Sequence, residues 1–359
     1  MMRALALAQR GEGSVEPNPM VGCLIVRDGV CLGEGFHQRF GSNHAEVNAL
    51  KSLDDHRQAV GATLYVTLEP CCHSGKTPPC SNAIIDAGLK RVVIAMRDPF
   101  AKVDGGGIRQ LQEAGIDVNI GVGSEAAQEL NAPYLKRLRL HRPWVIGKWA
   151  MSLDGRIATT TGDSQWISGT LSRGEVHRLR GRVDAIIVGG GTAIVDNPTL
   201  TARPAGQRIA WRIVVVGDRQ LPQDSNLIRT IHQAPVMLVS GPRSKVAELN
   251  HFEKLGCDVL CCRTNDHLEM THELLDELGR REMTNVLVEG GSLLLSSFAA
   301  IDELDEIHVY LAPKLIGGSA APGPVGGCGF KKLLDSPCYR LVKTTVFDDD
   351  VRLIARRIR

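Results

Sequence analysis

The 359-residue chain carries 42 Lys and Arg against 40 Asp and Glu, a formal charge of +2, with 43% hydrophobic and only 4% aromatic residues. That composition excludes bulk disorder, collagen-like repeats and a long coiled coil, and it lacks the basic excess of a strong non-specific nucleic-acid binder. No apolar run reaches the ~18 residues that cross a bilayer, and the opening segment lacks the long apolar core of a secretory signal. The ten cysteines are therefore expected to be reduced thiols in a cytoplasmic protein.

Residues 1–143 alternate strand and helix signals. VGCLIVRDG and VCLGEGF read as a hairpin closed by Asp28-Gly29, a favoured two-residue turn. HAEVNALKSL has helical spacing, ATLYVTLEP reads as a strand ending at Pro70, and CSNAIIDAG as a short helix stopped by Gly88. RVVIAM is a buried-type strand, GGIRQLQEAG a helix, IDVNIGV a strand and SEAAQELNAPYLKRLRLH one last helix. Such alternation predicts a three-layer α/β sandwich.

A break falls near Arg142-Pro143, and residues 144–359 read as a second α/β domain. Its strands are PWVIGKWAMSLDG, AIIVGG, RIVVVG, PVMLVS, CDVLCC, NVLVEGG and EIHVYLAP, followed by a hairpin in CYRLVKTTVFDDDVRLIARRI over Asp348–Asp350. Two basic clusters, Lys136/Arg137/Arg139/Arg142 and Arg352/Arg356/Arg357/Arg359, are expected to be a solvated helix end and a solvated tail.

The first chemical signal is His44-Ala45-Glu46, followed 27 residues on by Pro70-Cys71-Cys72-His73 and then Cys80. One His and two Cys hold Zn²⁺ with a fourth position left for water. Glu46 is then placed as the acid/base that moves protons between water, a ring nitrogen and leaving ammonia. Zinc nucleobase deaminases divide the work in this way, with H-x-E and P-C-x-x-C. Here eight residues separate Cys71 from Cys80, so Cys72 and His73 are rival ligands. His44, Cys71 and Cys80 are the preferred set, because Cys80 opens a helix, where a thiolate is favoured. A purely structural zinc site would want four protein ligands and would leave Glu46 unexplained.

Further along, AIIVGGGTAIVDNP and NVLVEGGSLLLSSF each run from a strand through glycines into a helix. Such turns present bare N–H groups to a phosphate, although either alone also fits a tight turn. Gly121-Val122-Gly123-Ser124-Glu125-Ala126 matches a dinucleotide pattern. It lacks the acidic residue ~20 positions on and reads as an ordinary strand–helix turn.

PNPMVGCLIV, HAEVNAL and TLEPCCHSGKTPPC resemble the deaminase half of the bifunctional riboflavin-biosynthesis deaminase–reductases. KWAMSLDGRIAT, GDSQWIS, the Arg180 region, GGGTAIVDNPTLTARP, VEGGS and YLAPKLIGG resemble that family's reductase half. The likeness covers nearly the whole chain. The long Cys71–Cys80 spacing belongs to the family's pattern, whereas Cys72 stands where the family usually has Ser. The resemblance implies a cytidine-deaminase-like α/β/α domain over 1–143 and a dihydrofolate-reductase-like α/β domain over 144–359. It implies zinc-dependent deamination of a phosphorylated diaminopyrimidinone nucleotide, then NADPH-dependent reduction of the product's ribose to a ribityl chain.

The resemblance also assigns residues. Asn18, His37 and Lys76 would bind the deaminase substrate, with Lys76 on its phosphate. Ser164, Arg180, Leu200, Arg203 and Glu289 would line the reductase substrate site. Ala150, Trp166, Thr192, Asp196 and the stretch Gly291, Ser292, Leu293, Leu294, Leu295, Ser296 and Ser297 would hold the cofactor. The chain departs from the family at VVVGDRQLP, where an Asp and a small hydroxyl residue are usual, which puts a Gly217 contact in doubt. Asp154 and Glu289 are the candidates for a reductase proton donor, and Asp154 is equally suited to shaping the SLDG turn. The expected partner is a small phosphorylated pyrimidine nucleotide, with no nucleic acid and no membrane; a homo-oligomer is left open. The alternatives are a tRNA or single-stranded-DNA base deaminase with an appended nucleotide-binding domain, and a non-catalytic zinc-stabilised binding module.

Overall fold

A computed structural model describes residues 1–73 and 78–358, and the chain divides into two units, Met1–Leu140 and His141–Arg359. All ten cysteines are free thiols. Among the described residues no helix is long and apolar enough to cross a membrane.

The first unit runs α1 (Met2–Gln9), β1 (Gly22–Arg27), β2 (Val30–Phe36), α2 (Ala45–Lys51), β3 (Thr63–Val66), α3 (Cys80–Asp86), β4 (Arg91–Ile94), α4 (Gly106–Glu113), β5 (Asp117–Ile120), α5 (Ser124–Leu130) and α6 (Ala132–Leu140). The strands form one sheet in the order β2-β1-β3-β4-β5. The β1–β2 hairpin closes through Asp28 and Gly29, both at positive φ (52° and 78°), as a two-residue turn matched to strand twist requires. Side chains alternate across the sheet with period two. Cys23, Ile25, Leu64, Val66, Val92 and Ile94 pack under α2, α3 and α4. Leu24 faces the other way onto Ala4 and Leu7 of α1, and Leu68, Ala95 and Met96 meet Ala127 of α5 and Tyr134 of α6. This is the expected three-layer sandwich.

Two elements differ from the sequence reading. The single helix expected over 124–141 is two, α5 and α6, separated at Asn131. Pro133 has no N–H to continue the ladder. The buried Asn131 amide instead clasps Met20, its Oδ1 accepting from Met20 N at 2.8 Å and its Nδ2 donating to Met20 O at 3.0 Å. The opening apolar stretch, assigned no element from sequence, is α1. It seats on β1 at Gly22, where a Cβ would come within 2.0 Å of Ala4 O.

The second unit runs β6 (Trp144–Ser152), α7 (Thr170–Arg180), β7 (Ala185–Gly189), α8 (Gly190–Val195), β8 (Trp211–Gly217), α9 (Asn226–Arg229), β9 (Val236–Ser240), α10 (Val246–Lys254), β10 (Asp258–Cys261), α11 (His267–Arg280), β11 (Asn285–Val288), α12 (Ser292–Ala300), β12 (Glu306–Ala312), β13 (Tyr339–Phe347) and β14 (Asp350–Arg357). Its nine strands lie in the order β10-β9-β8-β7-β11-β6-β12-β14-β13. Those from β10 to β12 are mutually parallel, and the β13–β14 hairpin is antiparallel at one edge. Both faces are buried, which explains the continuous apolar runs. Ile187, Ile213, Met237 and Val286 pack on one side, Ile186, Val214, Leu238 and Leu287 on the other. Asp350 leaves the expected hairpin tip and is buried, its Oδ2 accepting from Ser172 Oγ at 2.6 Å and Gly169 N at 2.7 Å.

Gly35 is where α2 lies closest on β2: a Cβ there would meet Ala49 N at 2.3 Å and Ala45 O at 2.5 Å. Gly35→Ala is expected to lower unfolding stability by about 1–3 kcal/mol in urea. Gly174→Ala, facing open space within α7, should leave stability level or raise it by up to about 1 kcal/mol. Equal midpoints for the two variants would remove the α2–β2 contact as a constraint.

Candidate active sites

His44 is the N-cap of α2, and Cys80 opens α3. The two helices bring His44 Nδ1 within 3.3 Å of Cys80 Sγ and 3.5 Å of Cys71 Sγ. The three ligand atoms lie within 4.8 Å of one another, the one such His/Cys/Asp/Glu group among the described residues. Tetrahedral bonds of ~2.0–2.3 Å place ligands about 3.3–3.8 Å apart, so the imidazole-and-two-thiol set fits Zn²⁺. A hydrogen bond from Cys80, with a second from His44, pulls the Cys71 thiol well down, while its partner Cys80 is pushed up. The pair thus holds a thiolate, the form that binds metal.

The rivals point elsewhere. Cys72 Sγ turns to the carbonyls of Lys102 and Val103, at 3.6 and 4.0 Å. His73 packs its ring 5.9 Å from that of Phe100. Glu46 follows in the first turn of α2, only 3% exposed. Burial, helped by the negative charge at Cys71, pushes its carboxyl up to about 7.

His44, Glu46 and Cys71 meet a cavity of about 300 Å³, shared with Asn18, His37 and Asp98. His37 Nδ1 donates to Asn43 O at 3.0 Å, so its Nε2 accepts from Asn18 Nδ2 at 3.2 Å. Burial depresses the His37 pKa and keeps the ring neutral. His37 thus orients the Asn18 amide. Asp98, raised by burial, accepts from Tyr134 Oη at 2.9 Å. Glu69 braces this wall, its Oε2 accepting from the backbone N–H groups of Asp98 and Gly105 and its Oε1 from that of Ile108. Sequence reasoning missed Asp98, Tyr134 and Glu69, because single acids in loops and a lone tyrosine in a helix carry no spacing signal. It placed Arg137 at a solvated helix end, yet Arg137 lines this cavity, and Lys136 is buried. Lys76 lies outside the described residues.

In the second unit Glu289 follows the end of β11. Its carboxylate takes a forked pair of hydrogen bonds from Arg180, Nε at 2.5 Å and Nη2 at 2.9 Å, and lies 3.6 Å from Lys148 Nζ. Burial alone would raise the Glu289 pKa, but the Arg180 and Lys148 charges and the Arg180 bonds outweigh it, and the net shift is down. Arg203 is exposed, with Nη1 donating to Thr199 Oγ1 at 2.7 Å. Leu200 is 2% exposed and sits at φ 52°, between these arginine-bearing segments. Asp154 accepts from Ser152 Oγ at 2.6 Å and from the N–H groups of Ile316 and Gly317, which together hold its pKa at about 2. It shapes the SLDG turn. Both carboxyls are thus shifted towards the ionised form, Asp154 by its hydrogen bonds and Glu289 by its two cations.

The residues expected around the cofactor divide by placement. The glycine turns after β7 and β11 adjoin: a Cβ on Gly291 would lie 3.5 Å from Thr192 Oγ1. Gly291 caps α12, where Ser292 begins the helix. Leu293 is exposed, Leu294 and Leu295 enter the core, and Ser296 and Ser297 donate back to Leu293 O. Only backbone and the first residues of that stretch are free to meet a ligand. Ala150 lies half-buried in β6 and Asp196 is exposed after α8, while Ser164, expected on the substrate side, is half-buried in the loop between β6 and α7. Trp166 is 63% exposed under the Arg173 guanidinium, which lies 4.6 Å from its ring centroid.

Comparison with known proteins joins the two sites. A family model for the RibD C-terminal domain matches residues 143–353. A model for the cytidine and deoxycytidylate deaminase zinc-binding region matches residues 1–96. Riboflavin biosynthesis protein RibD of Actinobacillus pleuropneumoniae is 39% identical over 357 residues, 98% of this chain and 93% of that one. The chain belongs to the RibD family of bifunctional riboflavin-biosynthesis deaminase–reductases. The Escherichia coli RibD is 37% identical over 98% of this chain and 97% of its own. A Thermotoga maritima structure described as a diaminohydroxyphosphoribosylaminopyrimidine deaminase/5-amino-6-(5-phosphoribosylamino)uracil reductase superposes with a TM-score of 0.85 at 34% identity, covering 100% of this chain and 97% of that one. Acinetobacter baumannii RibD, form 1, gives 0.84 at 35% identity, with 100% and 98% covered.

Within this family frame, Lys148 and Arg180 are seen as the cations that fix one buried carboxylate. Lys148 sits mid-strand in KWAMS, where alternation alone offers no reason to single it out. Glu289→Ala strands both cations and is expected to cost about 3–5 kcal/mol in urea unfolding at pH 7. The depressed pKa gives the sign: the stabilisation is complete above the ordinary carboxylate value of ~4.3 and fades as pH falls through the lower folded value. A double-mutant cycle with Arg180→Ala that shows no coupling, or a cost equal at pH 3 and pH 7, would count against the fork.

Proposed function

We propose that residues 1–143 deaminate 2,5-diamino-6-ribosylamino-4(3H)-pyrimidinone 5′-phosphate and that residues 144–359 reduce the ribose of the resulting 5-amino-6-(5-phosphoribosylamino)uracil. The observation that carries the first step is a buried Glu46 that lines one cavity with His44 and Cys71, whose ligand atoms group with that of Cys80. Zinc held by those three residues supplies a Lewis acid that brings the pKa of water towards ~7. Glu46 accepts the proton that water gives up on attacking the amine-bearing ring carbon and passes it to the ring nitrogen. It then relays the remaining proton of the new hydroxyl to the amine, so that the C–N bond breaks, ammonia leaves and the carbon becomes a carbonyl. Asn18, fixed by His37, offers its amide to the ring edge. Lys76 is assigned to the substrate phosphate.

For the second step NADPH, held by the second unit, would supply the hydride for the ribose C-1′; the C-1′–O-4′ bond breaks and the ring oxygen takes up a proton, which leaves the open ribityl chain. The glycine turns at Thr192 and Gly291 hold the cofactor, with Ala150, Trp166, Asp196 and the Ser292–Ser297 stretch around it. Ser164, Leu200, Arg203 and Glu289 line the substrate side. Arg180 commits two N–H groups to Glu289, so it acts chiefly by positioning that carboxylate, and Arg203 is the freer phosphate partner.

The basic clusters argue against the nucleic-acid alternative. Arg142 pairs with Asp276 and Glu303, Arg352 with Glu175, Arg356 with Glu306 and Arg357 with Asp302. The C-terminal arginines are therefore ion-paired within the fold and do not make a solvated tail; Arg359 lies outside the described residues. Ten free thiols suit a reducing cytoplasm.

Glu46→Gln is expected to cut deamination at least ~10²-fold, the contribution of a positioned acid/base, with zinc still bound one per chain by metal analysis. Unchanged turnover would favour a structural zinc module. With the diaminopyrimidinone substrate and no NADPH, the full chain should accumulate the uracil intermediate, and added NADPH should consume it. Deamination of single-stranded DNA or tRNA with none of the free nucleotide would reinstate the nucleic-acid alternative.

A further inference from the structure

Arg212 stands inside β8 and is completely buried, at 0% exposed. No carboxylate pairs with it among the described residues. A buried cation without a counter-ion is costly, and an apolar side chain would fill the same space at less cost. Burial pushes the Arg212 pKa down to about 10, so the group is still charged at neutral pH. Packing gives no reason for such a residue.

Its hydrogen bonds supply one. Nη1 donates to Thr199 O at 3.2 Å and to Thr230 Oγ1 at 2.6 Å. Nη2 donates to Thr230 O at 2.9 Å and to Ala234 O. All four Nη protons are thereby spent, and Nε has no partner. Thr230 and Ala234 belong to the segment between α9 and β9, whereas Thr199 belongs to the loop after α8 that carries Leu200 and Arg203. One planar guanidinium thus ties that loop to the body of the sheet. A lysine would keep the charge, but its single ammonium cannot span the same acceptors.

Thr199 passes the constraint on. While its carbonyl is held by Arg212, its Oγ1 accepts from Arg203 Nη1 at 2.7 Å. The next residue, Leu200, is buried at φ 52°, a left-handed conformation that a leucine adopts only where its surroundings impose it. The cofactor side of the loop has a separate anchor. Asn197, next to Asp196, accepts from Asn226 N at its Oδ1 and from Asn226 Nδ2 at its carbonyl, both at 2.7 Å.

We propose that Arg212 is a positioning residue of the reductase: by fixing Thr199 it sets Leu200 and Arg203 against the substrate, and it leaves the Asp196 end of the loop to Asn197. The inference rests on the reading above that Leu200 and Arg203 line the substrate site. Arg212 acts through Thr199 and touches neither substrate nor cofactor.

The test is steady-state reduction of 5-amino-6-(5-phosphoribosylamino)uracil by the full chain. The variants are Arg203→Ala, Arg212→Lys, the two combined, and Thr230→Val, which loosens the guanidinium without removing it. Arg203→Ala and Arg212→Lys should each raise the KM for the uracil substrate by about tenfold, the loss of one charge-assisted bond. Thr230→Val should raise it by about two- to fivefold, the loss of one neutral bond. In the Arg203→Ala background Arg212→Lys should add less than about twofold, because residues that act through one another are not additive. The KM for NADPH should stay within about twofold in every variant, which also reports an intact second unit. Additive rises in the combined variant, or equal rises for substrate and NADPH in Arg212→Lys, would show a merely structural arginine and overturn the proposal. So would an unchanged substrate KM in Arg212→Lys while Arg203→Ala raises it. If Arg212→Lys does not fold, Thr230→Val decides, and an unchanged substrate KM there overturns the proposal. An unchanged substrate KM in Arg203→Ala would remove the substrate-side reading itself, and the proposal with it.

Discussion

Successive side chains along the central strands point to opposite faces, and in both sheets each of those faces is covered by apolar packing. Nothing polar can be presented from such a surface without cost, so chemistry is confined to the strand ends and the helix starts beside them. Cys71 and Asp98 follow β3 and β4, and Glu289 and Gly291 follow β11. Lys148, inside β6, is the exception, and its ammonium is met by Glu289. In the first unit the constraint is tightened by Gly35, which lets α2 press onto β2. That approach fixes the helix start, and with it the His44 ring and the Glu46 carboxylate. A bulkier residue at 35 would move both ligand and acid/base together.

Two buried carboxylates show how one physical condition yields opposite roles. Glu46 and Glu289 are each almost wholly enclosed, and burial alone raises both pKa values. Glu46 has a negatively charged thiol for a neighbour and rises to about 7. Glu289 has two cations and falls. The first is poised to take and return protons near neutral pH; the second stays an anion and serves as a fixed charge.

Most of the fold is legible because it depends on local periodicity. The Asp28-Gly29 turn, the β7 and β8 runs and the His44/Glu46 spacing are each contained within about ten residues. What escaped depends on distant partners. Asn131 ends a helix because Met20, 111 positions away, needs both its backbone groups bonded. Glu69 looks like part of a metal motif, yet it serves backbone N–H groups from residues 98 to 108. Lys148 is one polar residue in an apolar strand until β6 is laid beside β11, whose end carries Glu289. Arginine clusters were misread for the same reason: their carboxylates lie tens to hundreds of positions distant.

That last point bears on what the enzyme binds. A near-neutral chain with 42 basic residues could still present a cationic face if its acids were segregated. Here the fold distributes them: Glu175, Asp276, Asp302, Glu303 and Glu306 each meet an arginine that sequence alone would leave in solvent. Pairing of this kind flattens the long-range field that polyanions need. At the two candidate sites the cations named for phosphate are few and local: Arg137 lines the deaminase cavity, and Arg203 is exposed beside Thr199. Single phosphates of nucleotide size are what such isolated charges can grip, since each acts over a few ångströms and depends on geometry more than on summed potential.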